Sequence, residues 1–224
     1  MKHTYLVGIS LVFMVFILSG CLYPKSELAQ NQIPYEEQLN MVQTAVDETP
    51  IFEKYLIDFS LLKERGLLAS IPGNAYEMGG VYQYVLITPE EDPRVKLIDL
   101  RLTEALRSVH FKLKLYRDKH LYPPFGEEIT KGVYQINYDK LAMKEPPRVV
   151  SPYSQVNLPI VMDVNGELYI DYRIDLQRAL EENDHSYTEG DDIRMILAET
   201  TPFVPAYSLP YTILENGDVD YLIT

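Results

Sequence analysis

Cys21 is the only cysteine of the 224-residue chain. A single cysteine cannot form a disulfide within its own chain, so the fold must be held together by its apolar core alone. Apolar residues make up 46% of the sequence. That content and length suffice for one good-sized core or two modest ones, and the chain as a whole does not have the composition of a disordered protein.

The segment before Cys21 predicts an export signal. Lys2 supplies a short positive start, and residues 5–18 are almost wholly apolar. This stretch is too short, and its flanks too one-sided, for a confident membrane-spanning helix. We therefore expect residues 1–20 to be a signal peptide that is removed, with an uncleaved signal anchor as the alternative.

The sequence Leu18-Ser19-Gly20-Cys21 resembles the lipobox of bacterial prolipoproteins in all four positions. The resemblance implies that the Cys21 thiol receives a diacylglyceryl group, that cleavage occurs before Cys21, and that the new amino terminus can be acylated too. Each buried methylene of such chains contributes about 0.8 kcal/mol to membrane binding. The resemblance thus implies an anchor on the outer face of the cell membrane, with the polar residues 21–33 as a tether.

The charge of the chain is strongly negative. It has 20 Lys and Arg against 33 Asp and Glu, a formal charge of −13, and removal of residues 1–20 takes away one Lys and no acid. Nucleic acid is a poor partner for such a surface, and an anionic headgroup layer would repel it. Cations and basic proteins are better candidates.

Hydrophobic periodicity predicts an α+β organisation in the region 34–145. A helix is expected over residues 35–47, an apolar patch that includes Phe52 and Tyr55 before Arg65-Gly66, and strands over residues 81–87 and 95–100. Further along the chain the pattern predicts a helix capped by Thr103 and ending near His120, then a strand over residues 133–138.

Pro146-Pro147 is the best candidate boundary with a second region, 146–224, although the two regions could pack as one domain. This region repeats one pattern, in which Leu-Pro is followed seven positions later by Asn-Gly, at Asn165-Gly166 and at Asn216-Gly217. Asn-Gly between alternating apolar residues is a strong hairpin signal, because both central residues of a type I′ turn need positive φ. We expect two hairpins, two helices between them near residues 175–182 and 191–199, and mainly antiparallel pairing.

Few residues carry an obvious chemistry. His110 and His120 lie about 15 Å apart along one predicted helix, too far for one metal ion, and His185 lies in a polar loop. Asp163 and Asn165 resemble part of a calcium loop, although a plain hairpin turn is the favoured explanation and Ile174 stands where an EF-hand needs Glu. Strand tyrosines such as Tyr82 and Tyr84 predict either a ligand platform or sheet packing.

Two resemblances extend beyond the lipobox. Ile71-Pro72-Gly73-Asn74, Gly79-Gly80 and Tyr82-Gln83-Tyr84, after the predicted first helix, resemble the segment that follows the long helix of type II pseudopilins. The start of the chain departs from that family, because no prepilin cleavage motif precedes the apolar stretch. The start Cys21-Leu22-Tyr23-Pro24, residues 28–35 and Ser151-Pro152-Tyr153 resemble membrane lipoproteins of Bacillus-type bacteria, a group with no established activity.

The sequence therefore predicts a lipid-anchored, non-enzymatic module that binds a protein or small ligand in the cell envelope. It predicts no cofactor other than the calcium considered above. A small solute-binding protein of a transporter is the first alternative, and its size argues against it because a bilobal binder needs two full lobes. A cell-envelope hydrolase with a site assembled from distant segments is the second.

Overall fold

The computed structural model describes residues 34–47, 56–88 and 92–223. The lipobox, the predicted tether, Phe52 and Tyr55 lie outside these residues. The described helices and strands follow one another in this order: α1 Tyr35–Asp47, α2 Phe59–Glu64, a 3-10 turn Tyr76–Met78, β1 Tyr82–Ile87, β2 Arg94–Asp99, α3 Leu100–Arg117, β3 Phe125–Thr130, β4 Val133–Ile136, β5 Ile160–Asp163, β6 Leu168–Ile170, α4 Arg173–Glu182, α5 Met195–Thr200, β7 Tyr211–Ile213 and β8 Val219–Tyr221.

The strands form three antiparallel sheets within the described residues. β1 pairs with β2, β3 to β6 pair in chain order, and β7 pairs with β8. The α+β class, the antiparallel pairing and both hairpins are confirmed. No described helix is long and apolar enough to cross a bilayer.

The first core forms between α1, α2 and the β1–β2 hairpin. α1 has Glu36 and Glu37 in its first turn, where they favour the positive helix end, and buries Val42 and Val46. Asp58 caps α2 by accepting hydrogen bonds from the first-turn amides. Phe203, from the far end of the chain, completes this core.

The second, larger core begins with α3, which starts earlier than the sequence predicts. Thr103 is not the cap. Asp99, the last residue of β2, caps the helix because its Oδ1 accepts the Arg101 N–H at 3.0 Å. Thr103 lies one turn inside, where its hydroxyl pairs with that of Tyr207 at 2.9 Å, and α3 ends at Arg117, three residues before His120.

The four-stranded sheet crosses the segment that contains Pro146-Pro147. β4 precedes these prolines and β5 follows them, yet the two strands pair, with Val133 opposite Asp163. The larger core holds buried residues from Leu102 to Tyr221, whereas the smaller one holds residues 42–97 and Phe203. The division between cores therefore falls at the β2–α3 junction.

Both Asn-Gly hairpins close with the same turn, which is not type I′. Only the glycine has positive φ, 80° at Gly166 and 89° at Gly217. The Gly166 amide donates to Asp163 O, the Asp163 amide donates to Glu167 O, and residues 214–218 repeat both bonds. This is a three-residue loop, a type I turn followed by a glycine bulge, and it suits the strands because the left-handed glycine restores their twist.

Candidate functional site

Three helices begin within or directly after an Asp-x-Arg unit. In each unit the arginine guanidinium forms a bidentate ion pair with the carboxylate of the aspartate two residues earlier. The same carboxylate also accepts a hydrogen bond from the arginine backbone N–H. The units are Asp99-Leu100-Arg101, Asp171-Tyr172-Arg173 and Asp192-Ile193-Arg194. The third unit displaces the start of α5 to Met195, because residues 191–194 form a turn.

The Asp171–Arg173 unit is fixed more firmly than an exposed pair. Arg173 Nε donates to Asp171 Oδ1 at 3.0 Å and Nη2 donates to Oδ2 at 2.7 Å. The guanidinium lies 4.8 Å from the centre of the Tyr221 ring, close enough for a cation–π contact. Asp171 is buried, and its hydrogen bonds raise the pKa of Arg173 further above its ordinary value. A pre-positioned guanidinium, paired with Asp171, therefore reaches the surface here.

This arginine stands in the middle of a long groove. Two adjoining cavities, of about 750 and 410 Å³, share Asn157, Pro159, Asp171 and Arg173 as walls. The smaller cavity is mainly apolar, with walls that include Ile129, Ile136, Tyr138, Pro146 and Pro147. The larger one has charged walls of both signs, including Arg178, Glu181 and Asp218, together with the apolar Ile174 and Val219.

A third and smaller cavity, separate from the groove, lies on another side of α4. It has a volume of about 270 Å³ and is lined by residues that include Tyr153, Ser154, Asp175 and Arg178. No hydrogen bond of standard geometry reaches Tyr153 OH, Ser154 Oγ or Asp175 Oδ1, although all three atoms are buried. Burial raises the pKa of the Asp175 carboxyl above its ordinary value, and the nearby Ser154 and Ser151 hydroxyls and Arg178 offset part of that rise.

Ser151 and Asp175 form a hydrogen-bonded pair beside this cavity. Ser151 Oγ donates to Asp175 Oδ2 at 2.8 Å and accepts the amides of Tyr153 and Ser154 at 3.0 and 3.1 Å. Ser151 is completely buried. Its hydroxyl therefore braces the turn after Val150 and holds the first turn of α4 to it.

The histidines stand apart from the three cavities just described. His110, His120 and His185 are all exposed. His120 stacks on Tyr116 with ring centres 4.1 Å apart, and His185 stacks on Tyr187. His185 and Tyr187 do border a further shallow depression, but this one is open to solvent.

Asp163 and Asn165 lie together in the β5–β6 turn. Asp163 Oδ1 accepts the Asn165 and Glu167 amides at 2.9 and 2.8 Å, and its Oδ2 accepts Asn165 Nδ2 at 3.2 Å. Among residues 34–47, 56–88 and 92–223, no three His, Cys, Asp or Glu side chains are grouped as metal ligands. These bonds brace the turn, and calcium binding at Asp163 and Asn165 stays a prediction that a calcium titration would check.

The strand tyrosines do not gather on one surface. Tyr84 and Tyr172 are core residues, 2% and 0% exposed, and they belong to different cores. Tyr134 and Tyr169 are partly buried against the larger core. The structure thus places these rings mainly in packing roles.

The sequence reasoning missed the groove. Its walls come from five separate stretches of chain, residues 129–138, 146–147, 157–161, 171–181 and 218–219, and no single stretch carries a recognisable ligand motif. The available signal was the Asp-x-Arg pattern, which occurs at residues 92, 99, 171 and 192 and marks a helix start at the last three. Of these units, the one at residue 171 borders the groove.

The chain was also compared with known proteins. Residues 35–99 are similar to the YphF family N-terminal domain. This segment runs from the start of α1 to the end of β2 and so contains nearly all of the smaller core. No curated protein and no solved structure matches the chain. The groove around Arg173 lies outside the matched segment.

Proposed function

We propose that this chain is a lipid-anchored binding module of the cell envelope, and that the groove around Arg173 holds an extended peptide segment of a partner protein. One observation carries the proposal. The groove joins a mainly apolar cavity to one with charged walls across a guanidinium that is already fixed in place.

The form of the groove favours an extended ligand. An apolar side chain of the ligand would fit between Ile136, Tyr138 and the prolines, while its polar groups would reach Gln177 and Glu181. Arg173 offers a carbonyl or carboxylate a donor that loses little conformational entropy on binding, because Asp171 and Tyr221 already hold it. Binding energy would then come from the apolar end and orientation from Arg173.

The arrangement of polar groups supports binding more than catalysis. Ser151 is buried and makes three hydrogen bonds, which leaves it a poor nucleophile. Asp171 is neutralised by Arg173 and is not placed to act as a general base. A hydrolase site would require catalytic side chains other than Ser151 and Asp171 to come into contact.

The solute-binding alternative would use the Asp175 cavity. Its volume of about 270 Å³ is below the range of roughly 300–1,000 Å³ that is usual for small-molecule sites. The groove exceeds that cavity in volume, and its larger part is more open to solvent, as a peptide site would be. The peptide reading is therefore preferred.

The anchor is proposed from Cys21 and its lipobox. Lipidation would hold the module at the outer face of the membrane, with residues 21–33 between the lipid and α1. Both cores are built by described residues from Val42 onward. Cys21→Ala should therefore release the protein from the membrane fraction or leave its signal uncleaved, with the thermal unfolding midpoint unchanged. Recovery of mature, membrane-bound Cys21→Ala protein would contradict the anchor.

A thermal-shift screen tests the groove. A ligand that binds only the native state at 100 times its dissociation constant stabilises it by about 2.7 kcal/mol. We expect a hit among envelope-derived peptides that is lost in Ile174→Trp, since Ile174 is half exposed on the groove wall. Met195→Trp, at a similarly exposed position on α5, is the control and should keep the hit. Hits confined to sugars or amino acids would favour the solute-binding reading.

A further inference from the structure

The outer face of α3 has the opposite charge from the rest of the molecule. Residues 101–120 contain six Lys or Arg and two acidic residues, against 14 and 31 in the remainder of the chain. The buried side of the helix carries Leu102, Leu106, Val109 and Leu113. The basic side chains therefore lie around the solvent-exposed side of the helix.

What it turns to solvent is partly apolar. Phe111 and Leu115 are 61% and 46% exposed, and their helical positions are opposite the buried leucines. Arg107, Lys112 and Lys114 flank them on the same outer half of the helix. There the exposed Glu104, which pairs with Arg107 at 3.4 Å, is the one acidic side chain of α3. Just past the helix end, Leu121 and Tyr122 are 94% and 73% exposed.

A basic helical face with large apolar side chains along its centre is suited to the interface of an anionic membrane. The apolar side chains enter the boundary between headgroups and acyl chains, and Lys and Arg remain among the phosphates. Each basic residue near an anionic surface strengthens the attraction about fivefold. The net negative charge predicts repulsion, but the basic side chains are concentrated on one helix, which can meet the lipid while the acidic faces point away.

We propose that α3, with Leu121 and Tyr122, docks on the anionic lipid surface of the membrane to which the chain is attached. The occupant follows from charge complementarity. It also follows from the attachment itself, because an anchored protein meets that surface at high effective concentration. This step rests on the proposed anchor only in requiring that the chain be held at a membrane.

The test places a fluorophore on the full chain. Leu115→Cys and, as control, Met195→Cys are labelled with an environment-sensitive dye and reconstituted with their anchor into vesicles. One set of vesicles is phosphatidylcholine alone, and the other contains about one third phosphatidylglycerol. Both sites have similar exposure, at 46% and 40%.

We expect a blue shift of the emission at position 115 in the anionic vesicles only, and none at position 195. Replacing Arg107, Lys112 and Lys114 by Gln should abolish the shift, because three such residues together account for a factor of about 100 in membrane partitioning. Emission at 115 that stays water-like in anionic vesicles, or shifts equally at 195, would overturn the proposal. A water-like result would assign this face to an acidic protein instead.

The same preparation separates this proposal from the anchor. The parent chain has one cysteine, Cys21. A parent that takes up no dye has a blocked thiol, as lipidation requires, whereas a labelled parent means that the anchor proposal fails. In that outcome Cys21 is also replaced by Ala in the Leu115→Cys chain, so that the dye reports position 115 alone while the apolar segment of residues 5–18 still holds the chain at the vesicle.

Discussion

At the scale of the residue, Asp175 is the side chain whose surroundings conflict most with its charge. One of its oxygens binds Ser151 and the other is buried without a hydrogen bond of standard geometry. Burial raises its pKa, so the native state holds this proton more tightly than the unfolded chain does. The carboxylate therefore lowers stability progressively as the pH rises from the ordinary pKa of 3.8 through the raised value.

Asp175→Asn should remove this pH dependence while keeping an acceptor for Ser151. We expect the free energy of unfolding of the variant, relative to the parent, to rise between acidic and neutral pH. Urea titrations at both pH values measure it, with the exposed Asp184→Asn as control. If the difference in free energy of unfolding between variant and parent stayed constant with pH, the charge of Asp175 would not destabilise the fold.

The two hairpin glycines offer a matched comparison. Both have positive φ, so alanine at either costs about 1 kcal/mol in backbone strain. A Cβ at Gly166 would also approach Pro123 Cγ to 3.0 Å, whereas one at Gly217 meets nothing within 4 Å. Gly166→Ala should therefore destabilise more than Gly217→Ala in urea unfolding. Equal losses would mean that Pro123 yields freely.

At the scale of the element, the β7–β8 hairpin is joined to the larger sheet by one hydroxyl. Tyr211 OH accepts the Tyr172 N–H at 3.0 Å and donates to Ile170 O at 3.2 Å, in a fully buried position. Ile193 also donates its amide to Tyr211 O. β6, α4, α5 and β7 thus meet at this residue, next to the groove.

Tyr211→Phe should cost about 1–3 kcal/mol, because it leaves the Tyr172 amide buried without a partner. Tyr207→Phe is the control, since its hydroxyl bond to Thr103 is exposed to solvent and replaceable by water. Chemical denaturation measures both variants. If the two losses were the same, the hairpin would be held by apolar packing rather than by the Tyr211 hydroxyl.

At the scale of the whole molecule, the sequence predicts elements better than it predicts where they meet. The first helix, at residues 35–47, and both hairpins are confirmed because each depends on local periodicity or on a turn glycine. The prediction that Thr103 caps α3 was wrong, because Asp99 is both the last residue of β2 and the cap of α3. The groove needs Pro146, Asn157, Arg173 and Val219 to converge, and that depends on tertiary packing which no local pattern encodes.

The groove around Arg173 is proposed to hold a partner peptide in the cell envelope. The most direct test is site-specific photo-crosslinking in intact cells, with the crosslinking residue at position 174 on the groove wall or at position 195 on α5. We predict one discrete adduct from position 174 that is absent from position 195, competes with the peptide found in the thermal-shift screen, and is lost when Cys21→Ala releases the chain. Equal crosslinking from both positions would contradict a peptide site in the groove. So would the absence of crosslinking from position 174 in protein that is folded and at the membrane.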